Sequence, residues 1–332
     1  MPVPAVIDRM RSTLAARALA GPDMPALLMV SGGSDSTALA YLAAGLREAG
    51  KLGPLAMLHV NHRLRGDAAD ADARFVAQLA ELLGIPLFSC EIDIAREAGR
   101  TGENVEAVAR RERYLAANEA LESLCRHAAA PLADGRIVTA HTADDRVESF
   151  YMRSIVGTGP GGFRAMRYRN GPVVRPLLDA SRDDLRAYLV ERERAGEPVA
   201  VDAEGALWRE DATNAHTDRF RAYVRHEIVP RAKERNPQLL DMPLQAVCQS
   251  CGMPLSDPSL LGTEADGSPS EHHCKWCYAN GDYLGACTME DMVGICVANM
   301  TGPDAPFTED EARAYMEALL PTLDRWKGAA SD

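Results

Sequence analysis

The first 150 residues alternate short apolar runs with longer amphipathic stretches. Residues 27–30, 55–60, 86–92 and 137–140 are apolar runs too short for helices and bounded by turn or polar residues; they read as buried strands. Between them, 36–49, 70–83 and 103–126 carry the 3.6-residue spacing of amphipathic helices. Strands alternating with helices of this length imply right-handed crossovers and an α/β fold, a doubly wound parallel sheet. Beyond residue 150 the pattern loosens. A glycine-rich stretch at 157–162 reads as a loop, weak β signals surround Tyr168 and Val173, and a helix is predicted over 181–193. Residues 194–215 are irregular and polar, a basic helical segment covers 218–235, and Pro237 and Pro243 mark a linker. The expected organisation is three regions: 1–195, an arm and linker at 196–241, and 242–332.

In a doubly wound sheet, ligands bind beyond the carboxyl ends of the strands. Three polar clusters fall there: Ser31-Gly32-Gly33-Ser34-Asp35-Ser36-Thr37, then 59–62 with His59 and His62, then 141–145 with His141 and Asp145. The first is a strand, a glycine turn and a helix in immediate succession. Gly32 and Gly33 can take positive φ and let backbone N–H groups approach a ligand. Ser34, Ser36 and Thr37 can cap the new helix, whose positive end faces the turn. This geometry suits phosphate. No lysine follows the glycines, so the turn is not the common GxxxxGK[ST] loop.

Composition is ordinary for a globular protein, 46% apolar and 25% charged. The sequence has no run of 18 apolar residues and no signal-peptide layout, so no membrane role and a cytoplasmic location are expected. The net charge of −12 is unevenly placed. From Asp241 onward there are 15 acidic and 4 basic residues, against 33 and 32 before it. The first 240 residues can therefore still present a basic surface to an anionic polymer.

The acidic quarter contains Cys248-x-x-Cys251 and Cys274-x-x-Cys277, separated by 22 residues. Four thiolates on two tight turns suit structural Zn²⁺, with redox thiols or an iron–sulfur group as the alternatives. His272 and His273 could offer an alternative ligand. Cys90, Cys125, Cys287 and Cys296 read as core thiols.

The turn at 31–37 resembles the pyrophosphate loop of ATP pyrophosphatases, which cleave ATP between its α and β phosphates. Together with HVNHRLRG at 59–66, EAVARRERY at 106–114, AHTADDRVES at 140–149, GTGPGGF at 157–163, RPLL at 175–178, DATN at 211–214 and RFRAYVRHEIVP at 219–230, it resembles the bacterial tRNA(Ile)-lysidine synthases over about 200 residues. The resemblance implies a ligase that adenylates the C2 carbonyl of the wobble cytidine of tRNA(Ile) with a CAU anticodon, then replaces that oxygen with the ε-amine of free L-lysine. ATP and Mg²⁺ are implied with it. Ser31, Gly32, Gly33, Ser34, Asp35 and Ser36 would serve the nucleotide, with Arg110, Arg113, His62 and His141 beside them. Asp145 and Glu148 match the family's lysine-binding acids, making Asp35, Asp145 and Glu148 the expected catalytic set. Asp211 and Asn214 would pin an arm whose Arg219, Arg221, Arg225 and Arg231 face tRNA phosphates. The chain departs from the family at Ala222, usually Asn, and Ser149, usually Thr. Residues 242–332 resemble a zinc-ribbon family and take the place of the tRNA-binding domains of longer synthases. A PP-loop tRNA thiolase and a non-catalytic tRNA adaptor are the competing readings. A homodimer and a protein partner for the ribbon are left open by the sequence.

Overall fold

The computed structural model describes residues 3–63, 66–157, 166–210, 220–236, 239–240, 247–255, 257–302 and 307–327. The chain divides into two compact units, Met1–Asp145 with Tyr168–Tyr223, and Arg146–Arg167 with Val224–Asp332.

In the first unit the apolar runs become β1 (Ala26–Met29), β2 (Leu55–Asn61), β3 (Leu87–Glu91) and β4 (Arg136–Val138). The amphipathic stretches become α2 (Ser34–Glu48), α3 (Asp67–Leu83) and α5 (Val105–His127), after an α1 (Val3–Ala16) and with α4 (Ile94–Thr101) between β3 and α5. β5 (Arg169–Asn170) and β6 (Val173–Val174) follow α6 (Ala143–Val156) in the chain and precede α7 (Arg182–Arg194). The sheet order is β3-β2-β1-β4-β6-β5. All pairings are parallel except β5 with β6. The expected doubly wound sheet is therefore present, with a short antiparallel edge. The pair around Tyr168 and Val173 extends the main sheet.

Alternation along the strands explains the layering. Leu27, Leu58 and Ile137 pack with Ala117, Leu121 and Leu124 of α5. Leu28, Met57 and Val138 point the other way, into a larger cluster with Leu39 and Leu42 of α2, Val76 and Leu79 of α3, and Leu185 and Leu189 of α7. Side chains one residue apart on a strand leave opposite faces, and with both faces covered the strands read as continuous apolar runs. Leu27, Leu28, Leu39 and Leu42 are fully buried, each contributing about 1.5–3 kcal/mol of transfer free energy.

α1 and α4 are not among the helices predicted from the sequence. In α1, Val6, Met10 and Leu14 are buried at four-residue spacing. In α4, Asp93 caps the start by accepting from the Arg96 N–H at 3.0 Å. The basic segment predicted as one helix is broken. Phe220–Tyr223 forms α8, Val224–Ile228 a π-helical turn, and Val229–Arg235 forms α9. Pro230 lacks the N–H that an unbroken helix would need there, and single π turns accommodate such interruptions.

The C-terminal part of the second unit holds two small hairpins, β7 (Leu261–Thr263) with β8 (Pro269–Cys274) and β9 (Tyr278–Ala279) with β10 (Asp282–Tyr283), then α10 (Met289–Met300) and α11 (Glu309–Leu319). Both helices start in capping boxes, Thr288 with Asp291 and Thr308 with Glu311. Cys248, Cys274 and Cys277 share a small core with Leu255, Met292, Val297, Met316 and Trp326. Among the described residues no helix is long and apolar enough to cross a membrane.

Candidate functional site

β1 lies between β2 and β4, while the chain runs β1-β2-β3 outward before returning to β4. The direction of winding thus reverses between β1 and β4, which is where an α/β sheet opens a ligand crevice. The glycine turn follows β1, and the 141–145 cluster follows β4. The two sequence clusters are brought to adjacent strand ends.

The turn is held from inside. Gly32 has φ of +92°, a region that L side chains enter only with strain. Its carbonyl accepts from the Thr37 hydroxyl at 3.1 Å and from the Arg209 N–H at 2.9 Å. The Ser36 hydroxyl donates to the Gly33 carbonyl at 3.1 Å and accepts from the Ser31 N–H at 3.2 Å. The N-cap of α2 is Gly33, with no side-chain cap on the first-turn N–H groups. Sequence reasoning expected Ser34 and Ser36 as caps; instead Ser34 donates to Asp35 at 3.0 Å and Ser36 braces the turn. An uncapped helix start beside a left-handed glycine presents N–H donors to an anion.

Asp145 and Glu148 lie one turn apart at the start of α6, and both are buried. The two oxygens of Asp145 do different work. Oδ2 accepts from the Thr142 N–H at 2.8 Å and hydroxyl at 3.1 Å, capping the helix. Oδ1 meets Arg221 at 2.7 Å and Arg182 at 3.7 Å. Burial opposes ionisation of Asp145, but Arg221, then Arg182 and the Thr142 N–H, bring its pKa below the usual carboxylate range. Glu148 accepts a bidentate pair from Arg225 at 2.7 and 3.0 Å. Arg221 and Arg225, expected on tRNA phosphates, are thus engaged by the two acids. Arg231 pairs with Glu227 at 3.2 Å on an exposed helix face. Arg219, Asp211, Asn214 and most of the 157–163 loop lie outside the described residues.

Arg182 is the residue the sequence reading missed. Its Nε lies 3.2 Å from Asp35 Oδ2, its Nη2 reaches Asp145, and its backbone N–H donates to Asp144 at 2.8 Å. Asp35 is pushed up by burial, restrained by Arg182, and pushed further by the charge of Asp145. Arg186 of the same helix reaches the Ser34 hydroxyl at 3.5 Å. Arg209, also missed, sits beneath Gly32, clamped by Asp72 at 3.1 Å and Asp202 at 2.6 Å.

The histidines are quieter. His141 accepts or donates at Thr139 Oγ1 over 2.8 Å, and burial pushes its pKa down to about 4. It is neutral at physiological pH. His62 Nε2 is 3.2 Å from Arg113. Arg113 forms no carboxylate ion pair among the described residues, and its crowded surroundings lower its pKa through desolvation, even though it keeps access to solvent. A cation so placed favours an incoming anion. Arg110 lies over the Tyr114 ring, 5.4 Å from its centroid.

In the second unit the Sγ atoms of Cys248, Cys251, Cys274 and Cys277 lie within 4.8 Å of one another, with Cys251 to Cys274 at 3.9 Å. A tetrahedral ion with Zn–S of about 2.3 Å requires sulfurs about 3.8 Å apart, so the donor set fits zinc. The Cys274 N–H donates to Cys248 Sγ at 3.3 Å. Trp326 Nε1 donates to the Ser250 carbonyl at 2.7 Å, inside the first knuckle. Arg325 bonds the Ser250 hydroxyl at 2.9 Å and stacks on Trp326 and Tyr283. His273 stacks on Tyr278 and is not among the clustered ligands.

Comparisons with known proteins agree with this geometry. A family model for the PP-loop domain matches residues 10–232, and one for a zinc ribbon domain matches 247–327. The tRNA(Ile)-lysidine synthase of Thermus thermophilus is 39% identical over 216 residues, 65% of this chain and 37% of that one. The tRNA(Ile)-lysidine synthase of Chlorobaculum tepidum is 34% identical over 226 residues, 68% of this chain and 62% of that one. The chain therefore spans between about a third and three fifths of the length of these relatives. Among solved structures, the U34-tRNA thiolase NcsA from Methanococcus maripaludis with its [4Fe-4S] cluster superposes with a TM-score of 0.52 at 16% identity, covering 72% of this chain and 76% of that one. That likeness is one of fold. With the glycine turn, the switch-point crevice and a match over two thirds of its length, the chain belongs to the PP-loop domain family.

Proposed function

We propose that this chain is a tRNA(Ile)-lysidine synthase, using ATP to join free L-lysine to C2 of the wobble cytidine of tRNA(Ile) bearing CAU. The observation that carries the reading is a buried, ionised Asp145 at the carboxyl end of β4, next to the glycine turn after β1. In the first step the cytidine O2 attacks the α-phosphorus and pyrophosphate leaves. The first-turn N–H groups of α2 and the Ser31–Ser36 turn would hold the departing phosphates, with Arg110 and Arg113 on the flank. Asp35 would hold Mg²⁺, which shields the phosphate charge when bound. In the second step the lysine ε-nitrogen attacks C2, the C2–O bond breaks and AMP leaves with the oxygen. An ammonium with an ordinary pKa of about 10.4 must first lose a proton; Asp145 would take it, with Glu148 binding the cation. Asp145 now meets Arg221, and Glu148 meets Arg225, so lysine must share or displace these guanidinium groups. The arm at 196–241, with Arg219 and Arg231, is assigned to tRNA phosphates.

Zinc would be held by Cys248, Cys251, Cys274 and Cys277, tying the two knuckles together. The first 240 residues contain only Cys90 and Cys125, far apart in sequence, which disfavours sulfur transfer. For the acidic ribbon we assign a protein-interaction or stabilising role. The test is incubation of the full chain with Mg-ATP, unmodified tRNA(Ile) and radiolabelled lysine. Lysine-dependent labelling that is lost in Asp145→Ala supports the reading; sulfur-dependent modification without lysine overturns it.

A further inference from the structure

We infer that Arg209 is a positioning residue that fixes the Gly32–Gly33 peptide, so that the Gly33 N–H and not the Gly32 carbonyl faces the phosphates. This rests on the nucleotide part of the function proposed above and on none of its tRNA or lysine chemistry. A peptide between two glycines has no Cβ on either side to resist rotation of its plane. Turned over, it would set a carbonyl oxygen where the turn needs a donor, and an anion would be repelled. Something must hold the plane. The Gly32 carbonyl accepts from the Arg209 N–H at 2.9 Å and from the Thr37 hydroxyl at 3.1 Å. The peptide is trans, which sets its N–H opposite to its C=O. A carbonyl drawn toward Arg209 therefore turns the Gly33 N–H away from it, to join the uncapped first turn of α2.

The backbone of Arg209 is itself held from several directions. The Ala200 N–H donates to the Tyr41 hydroxyl of α2 at 2.7 Å. Asp202 closes a turn, its Oδ1 accepting from the N–H groups of Glu204 and Ala206 at 3.0 and 2.8 Å. Leu207 is buried and Trp208 packs against the larger core cluster. The guanidinium of Arg209 then latches this segment on two sides. Nε is 3.1 Å from Asp72 of α3 and Nη1 is 2.6 Å from Asp202, and those acid side chains are only 9% and 8% exposed. The stem runs close under the turn, with Arg209 Cγ 3.4 Å from where a Cβ on Gly32 would stand.

The charge of Arg209 is not what the turn uses. Its guanidinium is committed to Asp72, Asp202 and Glu204, so it serves the turn through its main chain. Thr37 is a second hold on the same carbonyl, but it belongs to the helix that the turn opens and can move with it. Arg209 ties the carbonyl to a separate part of the fold, reaching an acid 137 residues away. Arg186 of α7 steadies the same segment from another side, lying over the Trp208 ring at 5.7 Å and reaching the Ser34 hydroxyl at 3.5 Å. A lysine at 209 could neutralise one acid but could not bridge Asp72 and Asp202 with a planar fork.

The experiment compares ligands with and without phosphate on the full chain. Calorimetry gives the affinities of wild type and Arg209→Leu for Mg-ATP, for magnesium pyrophosphate and for adenosine. Leucine keeps a stem beneath Gly32 and loses the latch. ATP and pyrophosphate should each bind at least about tenfold more weakly, the size of one lost hydrogen bond to a charged group. Adenosine should bind as it does to wild type. The second readout needs no ligand. The amide hydrogen of residue 209, bonded to Gly32 in wild type, should exchange with solvent at least about tenfold faster in Arg209→Leu once corrected for side-chain type. If Arg209→Leu fails to fold, Asp202→Asn removes half the latch and takes the same measurements, with the same pattern expected. An equal loss of adenosine affinity, an unchanged pyrophosphate affinity in a folded variant, or an equally protected amide at 209 overturns the inference. If wild-type protein binds neither ATP nor pyrophosphate, the nucleotide reading fails, while amide exchange at 209 still decides whether the latch holds the peptide.

Discussion

The glycine turn at Ser31–Thr37 and the cysteine knuckles at Cys248–Cys251 and Cys274–Cys277 are both short turns that prepare a charged site, but they are supported in opposite ways. The glycine turn is braced by Thr37, Ser36 and Arg209 and rests on a sheet covered on both faces. Its shape does not depend on its ligand. The knuckles belong to a small core in which the cysteines themselves are leading members. There the ligand set is part of what holds the region together, as expected where a small core cannot carry a fold alone. A site in a large core can be emptied and refilled; a site that is the core cannot.

Metal removal gives the largest test of this contrast. Structural zinc in small domains binds with about 10–16 kcal/mol of apparent free energy. Chelation, or Cys274→Ser, should therefore unfold residues 247–327, read as lost amide protection there. Protection in β1, β2 and β4 should persist, and so should lysine transfer.

Next comes the acid pair in the first turns of α6. Glu148 is 1% exposed and is held by Arg225. Glu148→Ala breaks a pair whose acid is buried and whose Arg225 side chain is 24% exposed, so the cost should lie at or below the about 3–5 kcal/mol of a fully buried pair. Denaturant unfolding should show the drop. A stability change below about 1 kcal/mol would mean that the pair behaves as a surface bridge.

A third effect is pH-dependent. His141 has its pKa lowered from 6.5 to about 4 in the folded chain. The unfolded chain takes up this proton first as pH falls, so the contribution to stability is full above about 6.5 and is lost on the way to about 4. The loss amounts to at most about 3.4 kcal/mol. His141→Asn should flatten the stability profile across that window; an identical slope would contradict the burial assigned to His141. Gly32→Ala has the smallest expected effect. At φ of +92° an added Cβ costs about 1–2 kcal/mol, and nearby atoms of Arg209 and Phe75 stand 3.4 and 3.5 Å from its position. Nucleotide affinity should fall, and the first unit should melt lower by about 2–8 °C.

The same contrast separates what was legible in the sequence from what was not. Strand, glycine turn and helix are local, and residues 31–37 announce them through spacing and residue type. The four cysteines are equally local in two pairs. Arg182 and Arg209 were invisible because their partners Asp35 and Asp72 lie 147 and 137 residues away. On its own, Arg182 looks like an ordinary charge on the first turn of a helix. Arg221 and Arg225 were read as phosphate contacts for the same reason; nothing nearby in sequence reveals acids 76 and 77 residues upstream that take them. α1 and α4 were missed because their apolar positions are sparse and cover only one narrow face.

The most direct test of the central claim is nucleoside mass spectrometry of tRNA(Ile) after reaction with Mg-ATP and isotopically labelled lysine. The expected result is labelled lysine on the wobble cytidine, with one AMP and one pyrophosphate released per tRNA, and no product from Asp145→Ala. Unlabelled cytidine from a folded, ATP-binding wild-type protein would contradict it.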